Sequence, residues 1–137
     1  MPKQVIKYAA VIIHEGKYLI AKPLDSDTWI NVGGKPQGDE SPEECLQREI
    51  MEELSVRVIS QPVLYLESPF TPAVSDPNIQ VKIVWYKLEI EGEPVASSEI
   101  GEIHWLTKSE AEMGALKLSP QIKEFLIPKL VSDGLLL

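Results

Sequence analysis

Apolar residues fall in short runs along this chain, and the spacing of those runs changes along its length. Residues 4–14 and 17–22 are dense in Val, Ile, Tyr and Leu and read as two strands, joined by the turn-forming pair Glu15-Gly16. Residues 23–28 are a loop by composition. Trp29-Ile30 starts an apolar stretch that Asn31 interrupts, so only a short strand fits there. Gly33-Gly34-Lys35-Pro36-Gln37-Gly38-Asp39 is too rich in turn formers for regular structure.

At Ser41 the period changes to that of a helix. Ser41 suits an N-cap, Pro42 stands where its missing N–H costs nothing, and Glu44 completes a capping box. Leu46, Ile50 and Leu54 recur on one face, and β-like Val56-Arg57-Val58-Ile59 ends the helix near Leu54. Residues 56–66 then read as a strand with an irregularity at Pro62. Pro69, Pro72 and Pro77 mark 67–78 as a loop. Residues 79–90 form a strand whose centre, Ile83-Val84-Trp85-Tyr86, is apolar on both faces, which predicts a central place in a sheet. After the turn Glu91-Gly92-Glu93-Pro94 come a strand over 100–106 and two helices, one capped by Ser109 and one by Ser119-Pro120. Strands, helix, strands, helix is the order of a mixed α+β sandwich, one domain over residues 1–137.

Charge narrows the function. Acids outnumber bases 21 to 13, for a net charge of −8. Polymeric nucleic acid is held by clustered Lys and Arg, and no such cluster is present. An acidic protein binds a small phosphorylated ligand when a divalent cation bridges the two. No apolar run has the length of a membrane span, and no signal-peptide pattern opens the chain. Cys45 is the single cysteine, so a cytoplasmic location is expected, with Cys45 a small packed residue. His14 and His104 lack a partner nucleophile motif and read as surface or structural residues.

The predicted helix carries the candidate chemistry. At about 100° per residue, Glu49, Glu52 and Glu53 share an arc of roughly 100°, beside the stripe of Leu46, Ile50 and Leu54. The like charges of Glu49 and Glu53 cost an isolated helix about 0.2–0.5 kcal/mol. A hard divalent cation bound by carboxylate oxygens reverses that sign. Arg48, next in sequence, is placed to orient one of the carboxylates. Helical spacing alone favours a solvated acidic face over a metal site.

The upstream residues decide between these readings. Gly34, Glu40, Arg48, Glu49, Ile50, Glu52, Glu53 and Val56 stand at the spacing of the Nudix box, which the segment resembles at every specified position except Ser55, where Gly is usual. A chance match is on the order of 10⁻⁸ per starting position. Trp29 ahead of the glycines and the Glu99-to-Trp105 segment resemble MutT-type members. Asp39, Gln37 and Val32 depart from common usage, and a left-handed Ser55 costs about 1 kcal/mol relative to Gly.

The resemblance implies a Nudix-type α/β/α sandwich with a mixed β-sheet. It implies that Glu49, Glu52, Glu53 and the carbonyl of Gly33 bind Mg²⁺, with Mn²⁺ as a substitute. It further implies hydrolysis of a diphosphate linkage by water, with Glu49, Glu53 and Glu99 as candidate general bases and Arg48 positioning a carboxylate. Lys35 and Lys22 are candidate phosphate contacts, Trp29 or Trp85 a candidate stacking surface, and Ser119 or Gln121 a candidate contact to a base. The expected substrate is a nucleoside triphosphate cleaved to monophosphate and pyrophosphate. ADP-ribose, a dinucleoside polyphosphate, or a non-catalytic nucleotide sensor are the alternatives. Expected partners are a small nucleotide, no polymeric nucleic acid and no membrane, with the chain a monomer or homodimer.

Overall fold

The computed structural model describes residues 2–73 and 75–137. The first predicted strand is in fact two. β1 (Lys3–Val11) lies in one sheet and β2 (Ile13–His14) in another, with Ile12 as the step between them. β3 (Lys17–Pro23) pairs with β2 through a turn in which Glu15 and Gly16 have φ of 51° and 74°. Positive φ at both turn residues matches the twist of the flanking strands.

β4 (Val32–Gly34), β5 (Arg57–Val58), β6 (Val63–Glu67), β7 (Thr71–Pro72), β8 (Ile79–Lys87), β9 (Ile90–Glu91) and β10 (Ile100–Leu106) follow in order. The main sheet runs β4-β1-β8-β6, with β7 also on β8. Its β1–β8 pair is parallel, with Lys7 opposite Ile83 and Ala9 opposite Trp85, and the other pairs are antiparallel. β8 is therefore central, as its two-sided apolar character predicts. The second sheet is β10-β3-β2, and β5 pairs with β9 alone.

Each of β1 and β3 buries both faces. Ala9, Val11, Tyr18 and Ile20 point into one core, while Ala10, Ile12, Leu19 and Ala21 point into another. The second core is closed by α1 (Pro42–Leu54) through Leu46, Ile50 and Leu54, all at 0% exposure. Burying each contributes about 1.5–3 kcal/mol. The first core is closed by the π-helical turn Ile122–Leu126 and by α3 (Ile127–Ser132), with α2 (Lys108–Met113) contributing Ala111. Helices thus lie on both faces of the sheet layer, giving an α/β/α sandwich with a mixed sheet.

Several local expectations change. Gly33 and Gly34, at the start of the stretch read as irregular, are strand together with Val32 because β1 offers an antiparallel edge. Residues 56–66 split into β5 and β6 around Pro62, and the long strand 79–90 breaks after Lys87, where Ile90–Glu91 turns to pair with β5. The proline-marked loop contains β7, an edge strand in which Pro72 is tolerated. Thr107, not Ser109, caps α2, in a box with Glu110. Pro120 opens the last helical segment, but the Ser119 hydroxyl caps nothing.

Candidate active site

The first turn of α1 sets the rotation of its carboxylates. Ser41 Oγ accepts from Glu44 N–H at 3.1 Å, and Glu44 Oε1 accepts from Ser41 N–H at 2.9 Å. At the other end Ser55 is left-handed, with φ 56° and ψ 36°, and its N–H donates to the Met51 carbonyl. Its hydroxyl lies 2.7 Å from that of Ser97. Ser97 N–H also donates to the Glu53 carbonyl at 2.9 Å, tying the loop before Glu99 to the end of α1.

Arg48 gathers the acidic residues. Its Nε and Nη2 donate to the two oxygens of Glu40 at 2.7 and 2.9 Å. Its Nη1 donates to Glu49 Oε1 at 2.9 Å and to Glu52 Oε2 at 3.4 Å, and Nη2 reaches the Lys35 carbonyl at 3.1 Å. Glu40 in turn accepts from the N–H of Gln37 at 2.8 Å, which pins the loop ahead of the helix. Arg48 holds the Glu40 carboxyl below its ordinary range.

Glu53 and Glu49 meet the glycines of β4. Gly33 N–H donates to Glu53 Oε1 at 2.9 Å. Gly33 has φ 140°, and a Cβ there would lie 2.1 Å from the Tyr8 carbonyl oxygen. A Cβ on Gly34 would lie 2.6 Å from Glu49 Oε1. Only glycine lets strand and carboxylates approach this closely. Burial pushes the Glu53 carboxyl up to about 8, with the charges of Glu49, Glu52 and Glu99 adding to the effect and the Gly33 N–H opposing it. Burial also raises Glu49, against the pull of Arg48.

Among the described residues, no three His, Cys, Asp or Glu side chains already converge as a metal cage. The donor set nevertheless fits a hard divalent cation. Glu49, Glu52 and Glu53 each engage one oxygen in the hydrogen bonds above and leave the other without a described partner. Burial opposes the ionisation of Glu49 and Glu53, and a cation such as Mg²⁺ would relieve that.

Gly33 and Gly34 also line a cavity of about 440 Å³. Ala9, Val81 and Ile83 give it an apolar wall, Lys7, Asn31, Ser119 and Gln121 are among its polar residues, and Asp25, Ser26, Thr28 and Ser75 line it as well. Ser119 is 4% exposed and its hydroxyl has no partner among the described residues. Lys7 escaped the sequence reading. Strand alternation puts it, like Lys3 and Val5, on the face of Ala9 and Val11, although Lys7 itself is exposed at the edge of the cavity. Partial desolvation there, helped by Lys35, lowers its ammonium pKa, against Glu49.

The remaining candidates are placed differently. Lys35 is exposed. Lys22 pairs with Glu102 at 3.2 Å and stands 5.7 Å over the Trp29 ring, and it does not line the cavity. Trp29 at 8% and Trp85 at 0% exposure are core residues, so neither ring offers a free face for stacking. Glu99 is exposed in the turn before β10, with no side-chain hydrogen bond to the three helix carboxylates. Cys45 is buried with its thiol pushed up to about 11, which leaves it unreactive. His104 hydrogen-bonds Glu110 at 2.9 Å, a structural contact.

A family model for the NUDIX domain matches residues 6–127. A MutT-like protein of Streptomyces ambofaciens is 29% identical over 123 residues, covering 85% of this chain and 76% of the relative. The solution structure of the E. coli ORF135 protein is 26% identical and superposes with a TM-score of 0.71, covering 95% of this chain and 90% of that one. A NUDIX hydrolase from Nitrosomonas europaea shares the fold at a TM-score of 0.77 and 18% identity, covering 96% and 91% of the two chains.

Proposed function

This chain belongs to the NUDIX family of hydrolases acting on pyrophosphate bonds, and on that premise we propose that it is a Mg²⁺-dependent nucleoside triphosphate pyrophosphohydrolase, with Mn²⁺ as a substitute. One observation carries the reading. The two glycines that wall the cavity also seat Glu53 and Glu49. A nucleotide with its base in the cavity therefore has its phosphates crossing Gly33 and Gly34 to the carboxylates. The resemblance of the Glu99-to-Trp105 segment to MutT-type members favours a triphosphate over ADP-ribose.

Glu49, Glu52, Glu53 and the Gly33 carbonyl would hold the cation, which when bound neutralises phosphate oxygens and makes a coordinated water more acidic. The chain's own residues do the rest. Arg48 holds Glu49 and Glu52 in place and ties them to the Glu40 loop. Glu49 and Glu53, whose proton affinity burial raises, are two of the candidate proton acceptors for the attacking water. Glu99, on the loop tied to the end of α1, is the third. Lys7 and Lys35 supply positive charge beside the glycines for the phosphate chain.

Product analysis tests the proposal. A panel of nucleoside triphosphates with Mg²⁺ should give monophosphate and pyrophosphate. Cleavage of ADP-ribose to AMP and ribose 5-phosphate, with triphosphates untouched, would overturn it.

A further inference from the structure

Asn31 breaks an apolar run two residues before the glycines, and the fold gives its side chain a fixed direction. Its Oδ1 accepts from Tyr18 OH at 2.9 Å and from Trp85 Nε1 at 2.7 Å. An indole N–H only donates, so the amide oxygen is the atom that must face it. Both donors are fully buried, which fixes the amide in one orientation. The NH₂ group is left without a hydrogen-bond partner among the described residues, on a side chain that lines the cavity. Ser119 also lines this cavity, with its buried hydroxyl unpartnered among the described residues. Gln121 is less available, since its Nε2 already donates to Thr71 Oγ1 at 3.1 Å and Pro72 O at 3.4 Å.

A polar residue whose oxygen is consumed by the core and whose donors face a cavity is built to read an acceptor. We infer that Asn31 determines substrate specificity: its NH₂ donates to a ring nitrogen or carbonyl oxygen of the nucleobase. The inference rests on the proposed seating of a base in this cavity. A matched donor of this kind discriminates because the wrong base leaves buried groups unpaired.

Asn31→Asp is the informative variant. It keeps an oxygen for Tyr18 and Trp85 and replaces the donor with an acceptor. Two measurements separate this inference from the hydrolase reading. The first follows the side-chain ¹⁵NH₂ resonance of Asn31, assigned by its loss in Asn31→Asp, during titration with each of the four nucleoside triphosphates in Ca²⁺. It should shift on saturation with at least one. A resonance that stays fixed under saturation with all four overturns the inference, whatever the enzyme hydrolyses. A shift without turnover in Mg²⁺ upholds it while overturning the proposed reaction. The second compares kcat/KM across the four bases. Asn31→Asp should narrow the ratio between best and worst base by about tenfold or more. A uniform fall that leaves the ratio intact overturns the inference, because added negative charge near phosphates slows every substrate alike.

Discussion

Glu53 combines a buried carboxyl, a hydrogen bond from a glycine N–H and three acidic neighbours. Glu53→Gln keeps an oxygen for the Gly33 N–H but removes the charge. Turnover with Mg²⁺ should fall by about a hundredfold or more, consistent with several kcal/mol of metal-assisted stabilisation. Steady-state kinetics on a variant shown to be folded checks this, and near-normal turnover would refute the assignment. The same residue gives a pH dependence. A carboxyl whose folded pKa of about 8 exceeds the unfolded value of 4.5 binds its proton more tightly in the fold. Its stability cost is absent below the lower value, grows as pH rises between the two, and is constant above the higher. Without metal, Glu53→Gln should therefore gain stability over the parent, by more at about pH 8 than at about pH 4.5. Urea unfolding in a chelator at both pH values measures the gap, and an equal gap at both would contradict the burial argument.

Helix α1 works as a positioned unit because each end is fastened. At its C-terminus Ser55 occupies a left-handed conformation that Gly adopts freely, and its hydroxyl meets Ser97. Ser55→Gly relieves about 1 kcal/mol of backbone strain but loses a hydrogen bond worth about 0.5–1.5 kcal/mol, so the net change should be under about 1 kcal/mol. Ser55→Ala keeps the strain and loses the bond, and should destabilise by about 0.5–1.5 kcal/mol. Chemical denaturation of the parent and the two variants separates the contributions: an Ala variant as stable as the parent would show that the Ser97 contact contributes nothing, and one as stable as the Gly variant that the left-handed strain contributes nothing. On the helix body, Arg48→Ala releases Glu40, Glu49 and Glu52 together. Removing a residue that orients metal ligands costs about 10–100-fold in metal affinity or activity. The apparent Mg²⁺ activation constant should rise accordingly, and an unchanged constant would mean that the clasp is structural only.

At the scale of the whole molecule, the proposed metal site would couple metal to stability. Its carboxylates come together only when α1 is packed against β4, so a cation held there would stabilise by mass action. Millimolar Mg²⁺ or Mn²⁺ should raise Tm, and Glu49→Ala should remove most of the rise. Differential scanning calorimetry with and without metal decides it, and a parent protein indifferent to metal would return the helix to a solvated acidic face. The acidic balance of the chain, −8, agrees with a ligand met through a cation rather than through a basic surface.

The local physics of the chain was legible without coordinates. The capping box at Ser41 and Glu44, the packing stripe of Leu46, Ile50 and Leu54, and the adjoining row of Glu49, Glu52 and Glu53 all follow from a helical period that repeats within a few residues. The two-sided apolar character of β8 likewise announced its central place, and the glycine-to-glutamate spacing pointed to the family. Tertiary structure decided whatever depends on partners distant in sequence. Gly33 and Gly34 became strand because β1 lay alongside, and Trp29 and Trp85 were buried because helices close over the sheet. The cavity draws Lys7 from β1, Asn31 from the approach to β4 and Ser119 from the last helical segment, residues that no single period links. Periodicity records which face of an element is buried, but a cavity wall is set by how separate elements pack, and that was fixed only when the chain closed.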